Sequence, residues 1–226
     1  MAKLLVVTGG SKGIGRAILE KFASQGFDVI TCSRSKTDFE GAKVKVHHFV
    51  ADMSKKNQVK AFTDFVNSFN RPVDVLVNNA GYFLPGQVID EPEGTLESMI
   101  EGNLYSAYYT SRGIAGGMRK AKSGHIFNMC SIASIQAYPN GGSYAISKFA
   151  LLGLSKMLRE ELKEFGVKVT AVLPGATLTA SWKGTDLPDE RFMSSEDVAE
   201  VVWAAYSLSP RSVVEEILIR PQLGDI

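Results

Sequence analysis

Short runs of apolar and β-branched residues alternate along this chain with longer segments of helical periodicity. Continuous apolar runs are typical of strands buried on both faces, and strands separated by helices form parallel sheets. The pattern therefore predicts an α/β fold, with a doubly wound parallel sheet of seven strands and helices on both faces. The predicted strands are 3–8, 27–32, 44–50, 73–78, 124–130, 167–173 and 215–220, and the predicted helices are 13–25, 54–69, 95–121, 143–165 and 195–207.

The length and composition of the chain limit both its organisation and its partners. A chain of 226 residues without a repeat or an evident linker is expected to form a single domain over residues 1–226. Its hydrophobic content of 45% and charged content of 22% are those of a soluble globular protein. Because the net charge is +1 and no basic run reaches five residues, no nucleic-acid or membrane-surface partner is expected. No apolar stretch approaches the roughly 20 residues that span a bilayer.

The cysteines and histidines give no sign of a disulfide or a metal site. Cys32 and Cys130 each end an apolar run without a nearby partner, which fits reduced thiols in the cytoplasm. The stretch MAKLLVVTGG has one basic residue and a short apolar run, so it is predicted to be a buried strand and not a signal peptide. His47, His48 and His125 lie in strand-like runs without ligand spacing, so no metal is predicted.

A glycine-rich turn follows the first predicted strand and opens the first predicted helix. In VVTGGSKGIGRAILEKFASQG, the glycines Gly9, Gly13 and Gly15 allow a tight turn and a close approach to a pyrophosphate at the helix N-terminus. A glycine-rich turn without a ligand is the alternative. The strand before it and the amphipathic helix after it favour a Rossmann-type dinucleotide-binding fold.

The end of the second predicted strand indicates which dinucleotide binds. An acid about 20 residues beyond the glycines holds the ribose 2′-hydroxyl of NAD, whereas a nearby arginine suits the 2′-phosphate of NADP. Here the strand ends in Cys32, Ser33 and Arg34, while Asp28 lies at its opposite end. Lys12 in the glycine turn adds a second cation. Either cation alone reads as a solvated surface charge, but together with the missing acid they favour NADP (NADPH) over NAD.

Tyr144 and Lys148 lie four residues apart in GGSYAISK (141–148) and therefore share one helical face. Such a pair is either a solvated surface pair or a phenol held beside an ammonium for proton transfer. A free tyrosine has a pKa of about 10, and a nearby cation stabilises its phenolate. The small residues Gly141, Gly142 and Ser143 are predicted to leave room where cofactor and substrate meet the phenol.

Several motifs occur in an order that identifies a family. They are TGGSKGIG (8–15), NNAG (78–81), CSIAS (130–134), YAISK (144–148) and PG (174–175). In this order the chain resembles the short-chain dehydrogenase/reductases (SDRs), specifically their compact single-domain branch, over essentially its whole length.

The resemblance implies a catalytic set of four residues. Tyr144 would be the general acid in carbonyl reduction and the base in the reverse direction. Lys148 would lower the pKa of the phenol and bind the nicotinamide ribose, and Ser131 would hydrogen-bond the substrate oxygen. Asn103 in EGNLYSAYY matches the asparagine that keeps a helix locally open and relays protons through water.

The resemblance also implies the cofactor contacts. Asp52 would accept from the adenine amine and would equally make a helix cap, since both roles can coexist. Asn78 and the backbone around Ala80 and Gly81 would lie along the adenosine ribose, and PGATLT would bring Thr179 to the carboxamide. The predicted cofactor-binding residues are Gly9, Ser11, Lys12, Gly13, Ile14, Gly15, Ser33, Arg34, Asp52, Met53, Asn79, Ala80, Gly81, Tyr144, Lys148, Pro174, Gly175, Thr177 and Thr179.

Two short segments depart from the family pattern. SRSKTDFEGAK (33–43) is too short for the helix usually found there, and ASWKGTDLPDERFM (180–193) is briefer than the flap of many relatives. A comparatively open substrate site is therefore predicted. Its predicted lining residues, for which ordinary loop packing is the alternative, are Phe83, Leu84, Gln136, Tyr138 and Trp182.

The amphipathic stretch after Lys148 commonly forms a subunit interface in this family, so a homodimer or homotetramer is expected, although core packing explains much of the pattern.

The predicted function is an NADP(H)-dependent oxidoreductase that interconverts a carbonyl and an alcohol by hydride transfer, with reduction favoured. The substrate stays open between a 3-oxoacyl thioester, a pteridine or sugar carbonyl, and another small ketone or aldehyde. A non-catalytic NADP(H)-binding redox sensor is the alternative. An epimerase or dehydratase of the larger branch is not expected, because it would need a C-terminal substrate domain and only about 50 residues follow Gly175.

Overall fold

A computed structural model describes residues 2–39, 45–182 and 184–226. Seven strands form one sheet in the order β3-β2-β1-β4-β5-β6-β7, and every pairing is parallel. The predicted doubly wound, seven-stranded Rossmann-type sheet is thus confirmed. The strands are β1 (Leu4–Thr8), β2 (Asp28–Ser33), β3 (Val46–Val50), β4 (Val75–Asn78), β5 (Gly124–Met129), β6 (Val167–Pro174) and β7 (Glu216–Ile219).

Helices cover both faces of the sheet. Apolar side chains of α1 and α6 pack on one face, as with Phe22 and Val202, while those of α2 and α4 pack on the other, as with Phe62 and Met118. Helix α5 lies on the same face as α2 and α4. The helices are α1 (Gly13–Ser24), α2 (Lys56–Asn67), α3 (Thr95–Met99), α4 (Ser106–Ala121), α5 (Gly142–Leu162) and α6 (Ser195–Tyr206).

The chain reverses its winding direction between β1 and β4. Because β1 pairs with β2 on one side and β4 on the other, the carboxyl ends of β1 and β4 flank the crevice in which doubly wound folds bind ligands. The motifs predicted to bind the cofactor and to act on the substrate follow strands that end at this edge.

Most predicted boundaries differ from the structure by one to three residues, and three segments need comment. The helix predicted over 95–121 is interrupted by a π-helical turn over Ile100–Tyr105. The strand predicted over 44–50 begins at Val46, and residue 44 lies outside the described residues. Of the short segment 33–43, residues 34–39 form no helix, and residues 40–43 lie outside the described residues.

Two predictions from composition concern membranes and metals. Within the described ranges, none of the helices combines the length and apolar character needed to cross a membrane. The same part of the chain contains no cluster of three or more histidine, cysteine or acidic side chains able to hold a metal ion. His125 is instead buried, with its Nε2 2.7 Å from Thr170 Oγ1 and its ring stacked on Phe127.

Candidate active site

Tyr144 and Lys148 lie in the first two turns of α5, beside the carboxyl end of β5. The hydroxyl of Tyr144 is hydrogen-bonded to the side chain of Ser131, which directly follows the strand end. Lys148 Nζ is buried, donates to the carbonyl oxygen of Met129 at 2.7 Å and lies 5.6 Å from the centre of the Tyr144 ring. The end of β5 and the first two turns of α5 therefore bring together three of the four predicted catalytic residues.

Burial dominates the electrostatics of the pair. It raises the pKa of the Tyr144 phenol above 10, and the hydrogen bond from Ser131 only partly offsets this. Burial also lowers the pKa of Lys148 to about 8. The pKa of Tyr144 was expected to be depressed by Lys148, and in the chain by itself this expectation is wrong because desolvation of the phenolate outweighs the neighbouring amine.

Asn103 lies in the π-helical turn between α3 and α4, where the helix opens as expected. Its side chain is 1% exposed. Its Oδ1 accepts from the backbone N–H of Tyr82 at 2.9 Å, and its Nδ2 donates to the Tyr82 carbonyl at 3.0 Å and to Ser147 Oγ at 2.9 Å. Asn103 therefore joins the segment after β4 to the helix that carries Tyr144.

The glycine turn between β1 and α1 has the backbone that only glycine adopts readily. Gly9 has φ +72° and Gly13 has φ +55°. A Cβ on Gly15 would lie 2.5 Å from the carbonyl oxygen of Gly9 and would also overlap the Asn79 amide. Asn79 Nδ2 donates to the carbonyl oxygens of Thr8 and Gly9 at 2.9 and 3.2 Å, so NNAG stabilises the turn.

The two asparagines of NNAG have different surroundings. Asn79 lies at the turn, whereas the Asn78 side chain is 3% exposed and donates to Ser111 Oγ and Asn128 Oδ1 at 2.9 and 2.8 Å. The predicted position of Asn78 along the adenosine ribose is therefore wrong for its side chain, because Asn78 ends β4 on the buried side. Thr8 Oγ1 accepts from the backbone N–H groups of residues 79 and 80.

The end of β2 presents Ser33 and Arg34 at the rim of the crevice. Ser33 Oγ donates to the Ser35 carbonyl at 2.8 Å and lies 2.7 Å from His48 Nε2, on the adjacent β3. Arg34 and Lys12 are exposed. The two predicted cations are thus accessible to an anionic ligand at this edge.

Asp52 caps a turn instead of a helix. Its Oδ1 accepts from the backbone N–H and the hydroxyl of Ser54 at 3.0 and 2.9 Å, while α2 begins only at Lys56. The predicted role as a helix cap is therefore wrong. Met53 beside it is buried.

Thr177 and Thr179 follow β6 after the PG motif. Thr177 is buried and its hydroxyl donates to the Gly175 carbonyl at 3.1 Å. The side chain of Thr179 lies against the glycine turn, since a Cβ on Gly13 would be 3.3 Å from Thr179 Cγ2. This segment therefore lies beside the glycine turn, which is the predicted phosphate site.

Only some of the predicted substrate residues adjoin Tyr144. The Phe83 ring packs edge-on against the Tyr144 ring, with centroids 4.9 Å apart. Tyr138 is close enough for the two phenols to interact, and burial raises the pKa of Tyr138 to about 12. By contrast, Gln136 accepts from Arg220 Nη2 at 3.2 Å, and Trp182 packs on Phe192 with centroids 4.9 Å apart.

Comparison with known proteins agrees with this arrangement. The sequence profile described as short chain dehydrogenase matches residues 3–189. The chain belongs to the short-chain dehydrogenase/reductase family. It is 33% identical to a sepiapterin reductase from Chlorobaculum tepidum, over 100% of this chain and 99% of that protein.

Solved SDR structures have the same fold. An alcohol dehydrogenase from the archaeon Thermococcus sibiricus, complexed with 5-hydroxy-NADP, superposes with a TM-score of 0.90 and is 28% identical, covering 98% of this chain and 97% of the other. An L-sorbose reductase from Gluconobacter frateurii, complexed with NADPH and L-sorbose, gives a TM-score of 0.88 at 27% identity, covering 97% and 95%. This SDR chain is accordingly an oxidoreductase.

Sequence reasoning missed four polar residues around the SDR site. Thr8 accepts from the backbone at the NNAG motif beside the glycine turn, and His48 pairs with Ser33. Ser147 pairs with Asn103, and Glu91 pairs with Ser143. Thr8 is the first residue of TGGSKGIG, so its motif position was a usable signal. The other three are paired with residues 15 to 52 positions away, and no local pattern marks such pairs.

Proposed function

We propose that this chain is an NADP(H)-dependent reductase that interconverts a small carbonyl compound and its alcohol. The position of the Tyr144 phenol carries the proposal, because it is hydrogen-bonded to Ser131 and one helical turn from Lys148. A phenol beside a hydroxyl and a buried amine is suited to proton transfer at a carbonyl oxygen. The membership of an oxidoreductase family supports the same reaction class.

The residues at the crevice fit a dinucleotide with a 2′-phosphate. The glycine turn leaves the first N–H groups of α1 facing the crevice, and the Lys12 side chain makes no capping bond among the described residues. Ser33 and Arg34 stand where an NAD-binding chain has its acid, and Lys12 is nearby. The NADP and NADPH complexes of the two solved relatives support this choice.

The chain's own groups would divide the work of carbonyl reduction. When bound, NADPH supplies a hydride for the carbonyl carbon. Tyr144 Oη then donates its proton to the carbonyl oxygen, and Ser131 Oγ stabilises the negative charge that develops there. The Lys148 ammonium stabilises the resulting phenolate, and Asn103 maintains the opened helix through which a proton can return to the site.

A carbonyl panel tests the activity and the substrate class. NADPH oxidation would be followed at 340 nm with carbonyl-bearing pterins, ketoses, aldehydes and 3-oxoacyl thioesters, since the relatives include a sepiapterin reductase and an L-sorbose reductase. Turnover of one class supports the proposal. NADPH binding without turnover of any class would contradict it and favour the redox-sensor alternative.

Arg34→Asp is expected to weaken NADPH binding by about 10- to 100-fold while NADH binding changes little. The substitution removes a cation and adds a charge that repels the 2′-phosphate, and a charge-assisted hydrogen bond contributes about 1.5–3 kcal/mol. Dissociation constants measured by fluorescence titration give the NADPH to NADH ratio. Arg211→Asp, at another exposed arginine, is the control. An unchanged ratio in Arg34→Asp would remove the 2′-phosphate assignment.

The exposed face of α5 is expected to form a homodimer or homotetramer interface. Ile146, Phe149 and Met157 are 42%, 46% and 57% exposed there, which is unusual for large apolar side chains on one helix. Phe149→Glu should shift the sedimentation profile to a smaller species, whereas Leu208→Glu, at an exposed leucine beyond α6, should not. A monomeric wild type at micromolar concentration would contradict the prediction.

We also propose that the protein works in the reducing cytoplasm. Cys32 and Cys130 are free and buried. Burial raises the pKa of the Cys32 thiol to about 12 and also raises that of Cys130, so both thiols stay protonated and unreactive.

A further inference from the structure

Glu91 extends from the segment after β4 to the N-terminus of α5. Its Oε1 accepts from the backbone N–H of Ser143 at 2.9 Å, and its Oε2 accepts from the Ser143 hydroxyl. The first N–H groups of a helix have no partner within the helix, and a carboxylate is stabilised there by the helix dipole. Glu91 therefore holds the turn of α5 that contains Tyr144.

Two glycines leave the space that Glu91 occupies. A Cβ on Gly86 would lie 2.6 Å from Glu91 Cγ, and a Cβ on Gly142 would overlap Glu91 Oε1 and lie 2.6 Å from the Gly86 carbonyl. Gly142 also has φ +35°. The prediction that the small residues before Tyr144 make room for cofactor and substrate is thus wrong for Gly142 and Ser143, which accommodate Glu91 instead.

Ser143 and Ser147 are two attachment points on one buried face of α5. They are one turn apart and 2% and 0% exposed. Ser143 binds Glu91, and Ser147 Oγ accepts from Asn103 at 2.9 Å. Tyr144 and Lys148 are the next residues along the chain, so each proposed catalytic side chain follows an attachment point by one position.

The segment that carries Glu91 makes two further contacts near Tyr144. The Phe83 ring packs against the Tyr144 ring, and the Gly86 N–H donates to the Asn140 carbonyl at 3.1 Å. Residues 83–91 therefore contact residues 140–144 at three points, of which the Glu91 carboxylate is the last along the chain.

We propose that Glu91 is a positioning residue for Tyr144, which fixes the first turn of α5 so that the phenol hydroxyl meets the substrate oxygen. This inference rests on the proposed reductase function. A small displacement of a proton donor reduces the rate more than the binding of either substrate, because proton transfer requires heavy-atom distances of about 2.6–3.2 Å.

Kinetics of four variants test the proposal, with kcat normalised to NADPH-binding sites so that only folded enzyme is counted. Glu91→Ala is expected to lower kcat about 10- to 100-fold while the KM for NADPH changes less than 3-fold. Glu91→Gln, which can still accept from the Ser143 N–H, and Ser143→Ala, which keeps that N–H, should each lower kcat too, by less than Glu91→Ala does. Glu93→Ala, at a nearby exposed acid, should match the wild type.

A second measurement does not depend on turnover. Amide hydrogen exchange over residues 141–148 should become faster in Glu91→Ala and stay unchanged in Glu93→Ala. A wild type that binds NADPH but reduces no carbonyl would contradict the proposed function, without bearing on the exchange result. The positioning role would be overturned if the wild type is active and Glu91→Ala has a normal kcat. If Glu91→Ala does not fold, a normal kcat in both Glu91→Gln and Ser143→Ala would overturn it.

Discussion

Tyr144→Phe is expected to lower kcat by about 10³-fold while NADPH binding stays within a few-fold of the wild type. General acid catalysis contributes about 10²–10⁴-fold, and phenylalanine removes the proton without disturbing the edge-on contact with Phe83. Steady-state NADPH oxidation gives kcat, and fluorescence titration gives the NADPH dissociation constant.

Tyr138→Phe is the matched control for this prediction. Tyr138 is a second phenol near the site, but it precedes α5 and so is not one helical turn from Lys148. The control is expected to keep kcat within about 5-fold of the wild type, well below the range of general acid catalysis. If Tyr138→Phe lost activity and Tyr144→Phe kept it, the proton-transfer role would belong to Tyr138.

Lys148→Met is expected to lose activity and gain stability in the same molecule. Activity falls because the phenolate of Tyr144 loses its neighbouring cation. Stability rises because burial lowers the pKa of Lys148 from 10.5 to about 8, which at neutral pH costs about 3 kcal/mol at 1.4 kcal/mol per pKa unit. Loss of the hydrogen bond to the Met129 carbonyl lowers the free energy of unfolding by about 1 kcal/mol, so the net gain in stability is about 2 kcal/mol.

The pH dependence of that gain gives a direct check. The folded chain releases the Lys148 proton above about pH 8 while the unfolded chain keeps it to about 10.5, so the wild type becomes relatively more stable as pH rises through this window. The difference in free energy of unfolding between variant and wild type should therefore shrink from pH 7 to pH 9.5. Lys156→Met, at an exposed lysine of α5, should show no such trend. A less stable Lys148→Met at pH 7 would contradict the prediction.

Much of the fold could be predicted because its signals are local. Continuous apolar runs define the seven strands, and the predicted start of each strand lies within two residues of the observed start. The glycine turn could also be predicted, since the positive φ of Gly9 and Gly13 is a property of the turn itself. Ser131, Tyr144 and Lys148 were found from motif order and Asn103 from a separate match, and the structure brings the first three together.

What could not be predicted depends on contacts between distant residues. The bond between Glu91 and Ser143 joins positions 52 apart, and nothing in the local sequence marks either residue as a partner. Asn78 and Asn79 are adjacent and chemically identical, but the strand end sends one into the core and the other to the glycine turn. The sign of the Tyr144 pKa shift follows from burial, which a sequence pattern does not give.

The strand order has a consequence for assembly on the ribosome. β2 and β4 pair with β1, β3 pairs with β2, and β5, β6 and β7 each pair with the strand before them. Every strand therefore finds its neighbour among those already synthesised, and none has to wait for a later segment. Both strands that flank the crevice, β1 and β4, have emerged once residue 78 leaves the ribosome, before the helix that carries Tyr144 exists. Nascent chains long enough for β4 to leave the ribosome are thus the earliest in which the dinucleotide half of the sheet can form.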